Sequence, residues 1–210
     1  MDVQNFFNSQ EKERIQKAVD AAEERTAGEI VPMIVGASAR YAEVELSGMM
    51  AGLIAGIATG LVYWNPWEPT ELYLALPAVG GLLGLLLCRI PGMKRLLIPK
   101  KRIDAAVLAR SLAAFTAHGL HYTKAHTGIL ILVSLLEHRV EVLADKGINE
   151  KVLQGVWDEI VNILTSGLKS GKACDAFCQA IERCGEILAM HFPRSPDDHD
   201  ELADKLITEK

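Results

Sequence analysis

The stretch SGMMAGLIAGIATGLVYWNPWEPTELYLALPAVGGLLGLLLC, from Ser47 to Cys88, decides the architecture of this chain. No charged residue occurs between Ser47 and Trp67, and none between Leu72 and Cys88. An α-helix rises about 1.5 Å per residue, so roughly 20 apolar residues cross the ~30 Å hydrocarbon core of a bilayer. Between the two runs, the prolines and the asparagine of Asn65–Glu71 favour a turn. The stretch therefore predicts a helical hairpin that crosses a membrane twice.

Charge sets the expected orientation of this hairpin. The turn contains Glu68 and Glu71 and no base, whereas Cys88 is followed by six basic residues before Asp104: Arg89, Lys94, Arg95, Lys100, Lys101 and Arg102. The positive-inside rule then predicts a multi-pass membrane protein with both termini and the globular domain in the cytoplasm. We expect the segment Arg89–Arg102 to contact anionic lipid. The alternative, a buried core hairpin of a soluble protein, leaves this basic cluster unexplained.

Glycines recur every four residues along the hairpin. The first run contains Gly48, Gly52, Gly56 and Gly60, and the second contains Gly80 and Gly84. Helices in lipid associate by close backbone approach, so rows of glycine mark a contact face. Two interpretations remain open. The two helices of the hairpin pack on each other, or the first row packs on another copy of the chain or on another membrane protein.

Composition limits what the rest of the chain can be. With 210 residues, enough chain remains outside the hairpin for one domain with its own core. The formal net charge of −5 gives no indication of nucleic-acid binding. The cysteines lack the spacing of a metal motif, and we interpret them as small core residues that a cytoplasmic domain keeps reduced: Cys88, Cys174, Cys178 and Cys184.

Outside the hairpin, helical and strand patterns alternate. The predicted elements are a helix capped by Asn8 and Glu11, a strand over Glu29–Val35, a helix over Asp104–Leu120, strands over Gly128–Ser134 and Val140–Ala144, a helix capped by Asn149, and a helix over Ala173–His191. Pro32 indicates an edge position or a strand start. In the helix before the second strand, Val107, Leu108, Ser111, Leu112 and Phe115 share one face. The first two strands are expected to pair in parallel, with the hairpin inserted in the crossover of a mixed α/β sheet.

Four segments resemble one known family. They are TAGEIVPMIV (Thr26–Val35), TGILILVSLLEHRVEVLADKGI (Thr127–Ile148), VWDEIV (Val156–Val161) and GEILAMHFP (Gly185–Pro193). They resemble TPM domains, the family also labelled TPM phosphatase, in a bacterial subgroup with an internal membrane hairpin. The resemblance covers roughly residues 8–45 and 104–193. Members that are fixed to membranes usually carry their helix at the end of the chain, so the internal hairpin is a departure.

The resemblance implies a fold and a domain organisation. The fold is an α/β/α sandwich with a mixed sheet, here interrupted by a two-helix transmembrane hairpin. The expected organisation is a first part of the TPM-like domain at 1–45, the hairpin at 46–89, a basic juxtamembrane segment at 90–103, the second part of the domain at 104–193 and a polar tail at 194–210. The family also implies that members are weak acid phosphatases, bind a divalent cation such as calcium, or assist membrane protein complexes.

The candidate site centres on Asp145, which ends a predicted strand. In open α/β sheets ligands bind beyond the carboxyl ends of the strands, and a carboxylate there can hold Ca²⁺ or Mg²⁺, with Glu141 as a second metal ligand. The alternative is a turn residue that hydrogen-bonds its own backbone. Glu29 is expected at the opposite rim. Four further residues are candidate phosphate contacts: Lys124, Thr127, Gly128 and Gly147.

Two classes of function follow. In the first, the chain is a membrane-anchored cytoplasmic TPM-like module that binds or maintains a membrane protein partner or complex. The glycine row and the basic segment favour this class, and no Ser-His-Asp or Cys-His motif is visible in the sequence. In the second, the chain is a weak metal-dependent phosphatase that acts on phosphomonoesters with Asp145 as its catalytic residue. The family resemblance and Asp145 favour that class.

Overall fold

A mixed four-stranded sheet forms from the most apolar segments outside the predicted hairpin. Its strands are β1 (Glu29–Val35), β2 (Gly128–Ser134), β3 (Arg139–Ala144) and β4 (Ile207–Glu209), in the spatial order β3-β2-β1-β4. The parallel pair β1–β2 aligns Glu29 with Gly128 and Val35 with Ser134. β3 is antiparallel to β2, and β4 is parallel to β1. The predicted mixed sheet and the predicted parallel pairing of the first two strands are therefore confirmed.

The structure is a computed structural model, and it describes residues 3–65, 70–123, 125–153, 155–194 and 206–209. Eight α-helices lie in this part of the chain: α1 (Ser9–Glu23), α2 (Ala42–Val62), α3 (Thr70–Arg89), α4 (Pro91–Leu97), α5 (Lys100–Ala117), α6 (Lys146–Asn149), α7 (Gly155–Lys169) and α8 (Ala173–His191). The chain divides into two units. We name them the α/β unit (Met1–Ser38 with Ala105–Lys210) and the hairpin unit (Ala39–Asp104).

Helices cover both faces of the sheet in the α/β unit. On one face, alternate strand residues such as Ile30 and Ile131 join a buried apolar cluster with residues of α1, α7 and α8, including Phe177. The residues between them, such as Met33 and Leu130, are buried as well. Since α5 and the turn after it contribute further buried side chains, we infer that they cover this second face. The expected α/β/α arrangement follows from these two layers.

Pro32 lies inside a strand that has a neighbour on each side. Residues of a parallel strand direct their backbone groups alternately to the two neighbours, and the Glu29 amide donates to Thr127 on the β2 side. Ile30 and Pro32 therefore face the β4 side, where the paired residues begin only at Met33. The Ile30 amide donates to Glu23 Oε1 at 2.6 Å. Pro32 thus occupies a local edge of β1, where the missing N–H breaks no ladder.

The face of α5 that packs inward differs from the prediction. Val107 and Ser111 are buried, and the Ser111 hydroxyl donates to the Val107 carbonyl at 3.0 Å. Leu108 and Leu112 are instead 44% and 53% exposed. The helix is apolar on most sides, so its composition does not distinguish the covered face from the open one. The prediction that these leucines share the buried stripe is wrong.

The predicted polar tail contributes a strand. Residues Ile207–Glu209 form β4 beside β1, and the Gly36 amide donates to the Glu209 carbonyl at 3.1 Å. Glu209 also forms an ion pair with Arg110 of α5. A strand of this length gives almost no periodic signal, which explains why the sequence pattern does not predict it.

The hairpin unit is built on close backbone approach between α2 and α3. A Cβ on Gly52 would lie 2.0 Å from the Gly80 carbonyl oxygen, and a Cβ on Gly84 would lie 2.0 Å from the Gly48 oxygen. A Cβ on Gly56 would lie 2.4 Å from the Leu76 oxygen. The structure thus contains the first of the two interpretations, in which the hairpin helices pack on each other. Association of the row with a second copy stays a prediction.

In the described chain, α2 is long and apolar enough to cross a membrane. The segment Tyr73–Arg89 is long and apolar enough only when Pro91–Leu97 is counted with it, and the axes of these two helices differ by 92°.

The glycine contact predicts unequal effects of alanine along one row. Gly52→Ala places a methyl group against the Gly80 backbone, and overpacking of this kind costs about 1–3 kcal/mol. Gly60→Ala is the matched control, since its Cβ would lie 3.7 Å from Leu76 Cδ1, an ordinary contact. We expect the first variant to lower the thermal unfolding midpoint of the full chain in detergent micelles, followed by circular dichroism, and the second to leave it unchanged. Equal midpoints for the two variants would contradict this packing.

Candidate functional site

The site predicted around Asp145 lies at the edge of the sheet where β1 and β2 begin. Asp145 follows the last residue of β3, and its amide donates to the Gly128 carbonyl at 2.9 Å. Because β3 is antiparallel to β2, the carboxyl end of β3 coincides with the amino ends of β1 and β2. The rule that favours the carboxyl ends of parallel strands therefore does not apply to Asp145. Glu29 begins β1 at this same edge, so its expected place at the opposite rim is wrong.

Both carboxylate oxygens of Asp145 are engaged by the protein. Oδ1 accepts a hydrogen bond from the Lys146 amide at 2.7 Å, and the residue is the N-cap of α6. Oδ2 lies 3.2 Å from Nδ1 of His126. The alternative weighed for Asp145, a residue that hydrogen-bonds the adjacent backbone, is thus present. Asn149, expected to cap the next helix, lies at the end of α6 and donates to the Ala144 carbonyl at 2.6 Å.

The side chain that contacts Asp145 is that of His126, and the sequence pattern does not indicate this contact. Its backbone is left-handed, with φ of 53°, and its side chain is 61% exposed. A carboxylate that accepts from Nδ1–H fixes the imidazole tautomer and leaves Nε2 with its lone pair. His126 and Asp145 are far apart in sequence, and they meet because β2 and β3 form a hairpin whose open end brings residues before β2 beside residues after β3. The pair can accept or relay a proton.

Three of the four predicted phosphate contacts lie against backbone carbonyl groups of the protein itself. Lys124 lies outside the described residues. Thr127 is fully buried, and its hydroxyl donates to the Ala27 carbonyl at 2.9 Å. A Cβ on Gly128 would lie 2.6 Å from the Leu120 oxygen, and one on Gly147 would lie 2.5 Å from the Ala125 oxygen. Because these two glycines have no Cβ, the neighbouring backbone can approach them closely. A role of the four residues as ligands of phosphate stays a prediction, which the burial of Thr127 does not favour.

The predicted metal ligands are not brought together. Glu141 lies within β3, four residues before Asp145. At about 3.3 Å per residue along a strand, their Cα atoms are roughly 13 Å apart, whereas calcium ligands lie within about 2.6 Å of the ion. Residues 3–65, 70–123, 125–153, 155–194 and 206–209 contain no group of three or more His, Cys, Asp or Glu arranged to hold a metal ion. The residues present therefore do not fit a Ca²⁺ or Mg²⁺ site at Asp145.

A second polar cluster lies at the opposite edge, where β1 and β2 end. The buried carboxylate of Glu137 accepts from the Ser38 amide at 2.8 Å and from the Ser134 hydroxyl. The Ser38 hydroxyl donates to Ser134 Oγ at 2.9 Å. The cluster ties the chain after β1 to the turn between β2 and β3. Sequence reasoning missed it because Ser38 is distant in the chain from its two partners.

The cysteines of α8 are poor nucleophiles at neutral pH. Burial raises the pKa of Cys174 to about 11 and that of Cys184 to about 12, and burial also raises the pKa of Cys178. The Cys174 thiol points to the Glu11 carbonyl at 3.7 Å. All four cysteines of the chain are free thiols. Their expected role as small residues of the core agrees with these surroundings.

A broad, open groove of about 1170 Å³ runs along α7 and α8. Its lining includes Arg14, Asp158, Glu159 and Asp175. Arg14 donates to Asp175 at 2.7 Å, so part of this charge is paired across the groove. The groove is open to water, which screens the remaining charges.

Comparisons with known proteins place the fold. Residues 98–187 match the family model described as the TPM domain. The NMR structure of the BA42 protein from the psychrophilic bacterium Bizionia argentinensis aligns with a TM-score of 0.60 at 21% sequence identity. That alignment covers 97% of this chain and 95% of that chain, and at this identity it shows the fold alone. No curated protein matches the chain.

The family match contains β2, β3 and the whole His126–Asp145 contact. Residues 8–45, the other part of the expected resemblance, lie before the matched residues. The similarity to TPM domains that the β2–β3 segment suggests is confirmed. Residues 98–187 of this chain are therefore similar to TPM domains.

Proposed function

We propose that this chain is a membrane-anchored module of a bacterial inner membrane. Its α2–α3 hairpin spans the bilayer, its TPM domain lies in the cytoplasm, and it binds or maintains a membrane protein partner. The proposed membrane anchor is supported by the apolar outer surface of the hairpin. Large apolar side chains project from it on all sides not occupied by the partner helix, among them Ile54, Leu61, Leu82 and Leu86.

Water is a poor solvent for that surface. Apolar area costs about 25 cal/mol per Å² in water, and a contiguous patch beyond a few hundred Å² is rare in soluble monomers. The 21 residues of α2 extend about 31 Å in all, and the part of the helix that follows Glu45 is uncharged. Only the face toward α3 is closed, by the glycine contacts. Lipid tails are the environment that this helical pair suits.

The two ends of the hairpin unit have the polarity of membrane boundaries. At the turn, the rings of Trp64 and Tyr73 lie 5.0 Å apart, and the Asn65 amide donates to the Tyr73 hydroxyl at 2.9 Å. Aromatic residues of this kind favour the headgroup level. At the other end, Glu45 lies 2.8 Å from Lys94. The basic residues of the hairpin unit are thus confined to one end, and Trp64 and Tyr73 lie at the other.

The surface that supports partner binding is the open face of α5. Leu108 and Leu112 are one turn apart and both exposed, and the exposed residues between Ala105 and Ala117 carry no charge. An apolar helix face on a soluble domain costs free energy in water unless something covers it. Helices recognise one another through side chains at this spacing. A membrane protein partner that presents an apolar helix fits this face.

A topology experiment tests the anchor. Asn65→Cys places a thiol at the turn, and Lys169→Cys places one at the exposed end of α7. In intact cells with a permeabilised outer membrane, an impermeant maleimide should label Cys at 65 and spare Cys at 169, because the inner membrane shields the cytoplasmic domain. Lysis should then expose both thiols. Labelling of the turn only after lysis would refute the proposed topology.

A crosslinking experiment tests the partner surface. The photoreactive residue p-benzoylphenylalanine at Leu112 should form a discrete adduct in intact cells, whereas the same residue at Leu153, also strongly exposed, should form none. Adding Leu108→Glu should reduce the adduct at least tenfold, since a charge at the contact is desolvated on binding. Mass spectrometry of the adduct identifies an integral membrane protein if the proposal holds. An adduct with a second copy, a soluble protein or nothing would contradict it.

Phosphomonoester hydrolysis is the second candidate, and the His126–Asp145 contact favours it. With Nδ1 held by Asp145, Nε2 can act as a general base toward water. We predict that Asp145→Asn, which keeps an oxygen for the α6 cap, and His126→Gln each lower the hydrolysis of p-nitrophenyl phosphate by about 10²-fold or more. Assays with and without Ca²⁺ and Mg²⁺ test the metal requirement. Unchanged rates in both variants would exclude the His126–Asp145 pair as the site, and no turnover above background in the parent chain would exclude the activity itself.

A further inference from the structure

A short helix, α4, leaves α3 at nearly a right angle. Pro91 is the first residue of α4, and Ile90 before it is extended, with φ of −67° and ψ of 122°. A proline disfavours the helical conformation in the residue that precedes it, so α3 ends and the chain turns. The axes of the two helices differ by 92°. If α3 follows the membrane normal, α4 lies in the plane of the membrane.

One side of α4 is apolar and exposed. Met93, Leu96 and Leu97 are spaced three and four residues apart, which places them on one helix face. Leu96 is 78% exposed, and Ile90, at the start of the helix, extends the same face. Met93, Leu97 and Ile90 are between 41% and 50% exposed.

The helix is held in this rotation by a buried cation. The Lys94 ammonium donates to the Arg40 carbonyl at 2.7 Å and to Glu45 Oε1 at 2.8 Å, and its side chain is only 13% exposed. Because Lys94 lies about 160° around the helix from Leu96, this anchor directs Leu96 away from Arg40 and Glu45. The orientation of the apolar face is therefore set by a specific pair of contacts.

The basic residues near α4 divide into two sets. Arg89 and Lys94 approach Glu45, and Arg102 lies 3.2 Å from Glu43. Arg95, Lys100 and Lys101 are exposed and make no ion pair with the residues that the structure describes. Of the described basic residues from Arg89 to Arg102, this second set is the one whose charge no described carboxylate neutralises. The segment Arg89–Arg102 is therefore not uniformly available to lipid, as the sequence alone would suggest.

We propose that α4 is an interfacial helix that inserts its apolar face into the cytoplasmic leaflet, while Arg95, Lys100 and Lys101 bind the phosphate groups of anionic phospholipids. The occupant is the bilayer itself, which offers acyl chains beneath a layer of negative charge and so matches the apolar face and the cations together. The apolar face is also continuous in sequence with the apolar surface of α3. This proposal rests on the proposed membrane anchor.

Depth-dependent quenching tests the insertion. The full chain, labelled with bimane at Leu96→Cys, is reconstituted into vesicles of phosphatidylcholine and phosphatidylglycerol that contain lipids with a nitroxide at the headgroup or at mid-chain. Leu82→Cys on α3 is the control for the hairpin, and Leu153→Cys is the control for an aqueous position. The parent chain, labelled in parallel, corrects for the native thiols, and the raised pKa of Cys174 slows its labelling at neutral pH.

The expected result is strong quenching of the label at 96 by the headgroup nitroxide, weaker quenching by the mid-chain nitroxide, and the reverse order at 82. If the label at 82 is quenched while that at 96 behaves like the label at 153, the interfacial helix is refuted and the membrane anchor stands. If the label at 82 is not quenched either, the anchor itself is refuted.

Neutralising the cations tests the lipid phosphate contact. In the L96C background, Arg95→Gln, Lys100→Gln and Lys101→Gln together should reduce headgroup quenching at least twofold in vesicles with phosphatidylglycerol. They should leave it unchanged in vesicles of phosphatidylcholine alone. A matched variant, Lys169→Gln, removes one charge from the distant α7 and should have no effect. An equal response in both kinds of vesicle would overturn the assignment of the three cations to anionic lipid.

Discussion

The parallel pairing of β1 with β2 is the constraint on which the rest of the structure depends. Every residue of both strands is buried, so their backbone groups must find partners within the sheet. The chain between Val35 and Gly128 must therefore return to the edge from which β1 began. An antiparallel helical hairpin can be inserted into such a crossover because it brings the chain back to its own starting end. The glycine rows make that return compact, since two helix backbones meet without side chains between them.

The sequence predicts best where one physical effect dominates. Uncharged β-branched runs define β1 and β2, and Asn8 with Glu11 forms the capping box that their spacing predicts. It predicts poorly where two effects give the same pattern. A helix that is apolar nearly all round, such as α5, does not reveal which face is covered, so Leu112 was misplaced. Three residues that pair with an existing strand, as in β4, leave no periodicity to read.

Asp145 illustrates the same limit at the candidate site. An aspartate at the end of a strand suits a cation, a phosphate-bound metal or a helix cap equally well by residue type. The choice depends on strand direction, because an antiparallel β3 moves Asp145 to the edge where β1 begins and into contact with His126. Strand direction in turn depends on the length of the turn after β2, which the sequence shows, and on long-range pairing, which it does not. The residue type and position of Asp145 therefore do not by themselves decide its chemical role.

The position of the insertion has a consequence for the order of events during synthesis. β1 leaves the ribosome before the hairpin, and β2 follows only after it; at 5–20 residues per second this delay is on the order of 5–20 s. During that time the apolar strand β1 has no partner strand, because the hairpin segment is synthesised before β2. Unpaired strands of this composition associate with one another edge to edge. Pro32 lies in the middle of this strand and has no N–H to donate, which weakens any edge-to-edge pairing that the unpaired strand could make.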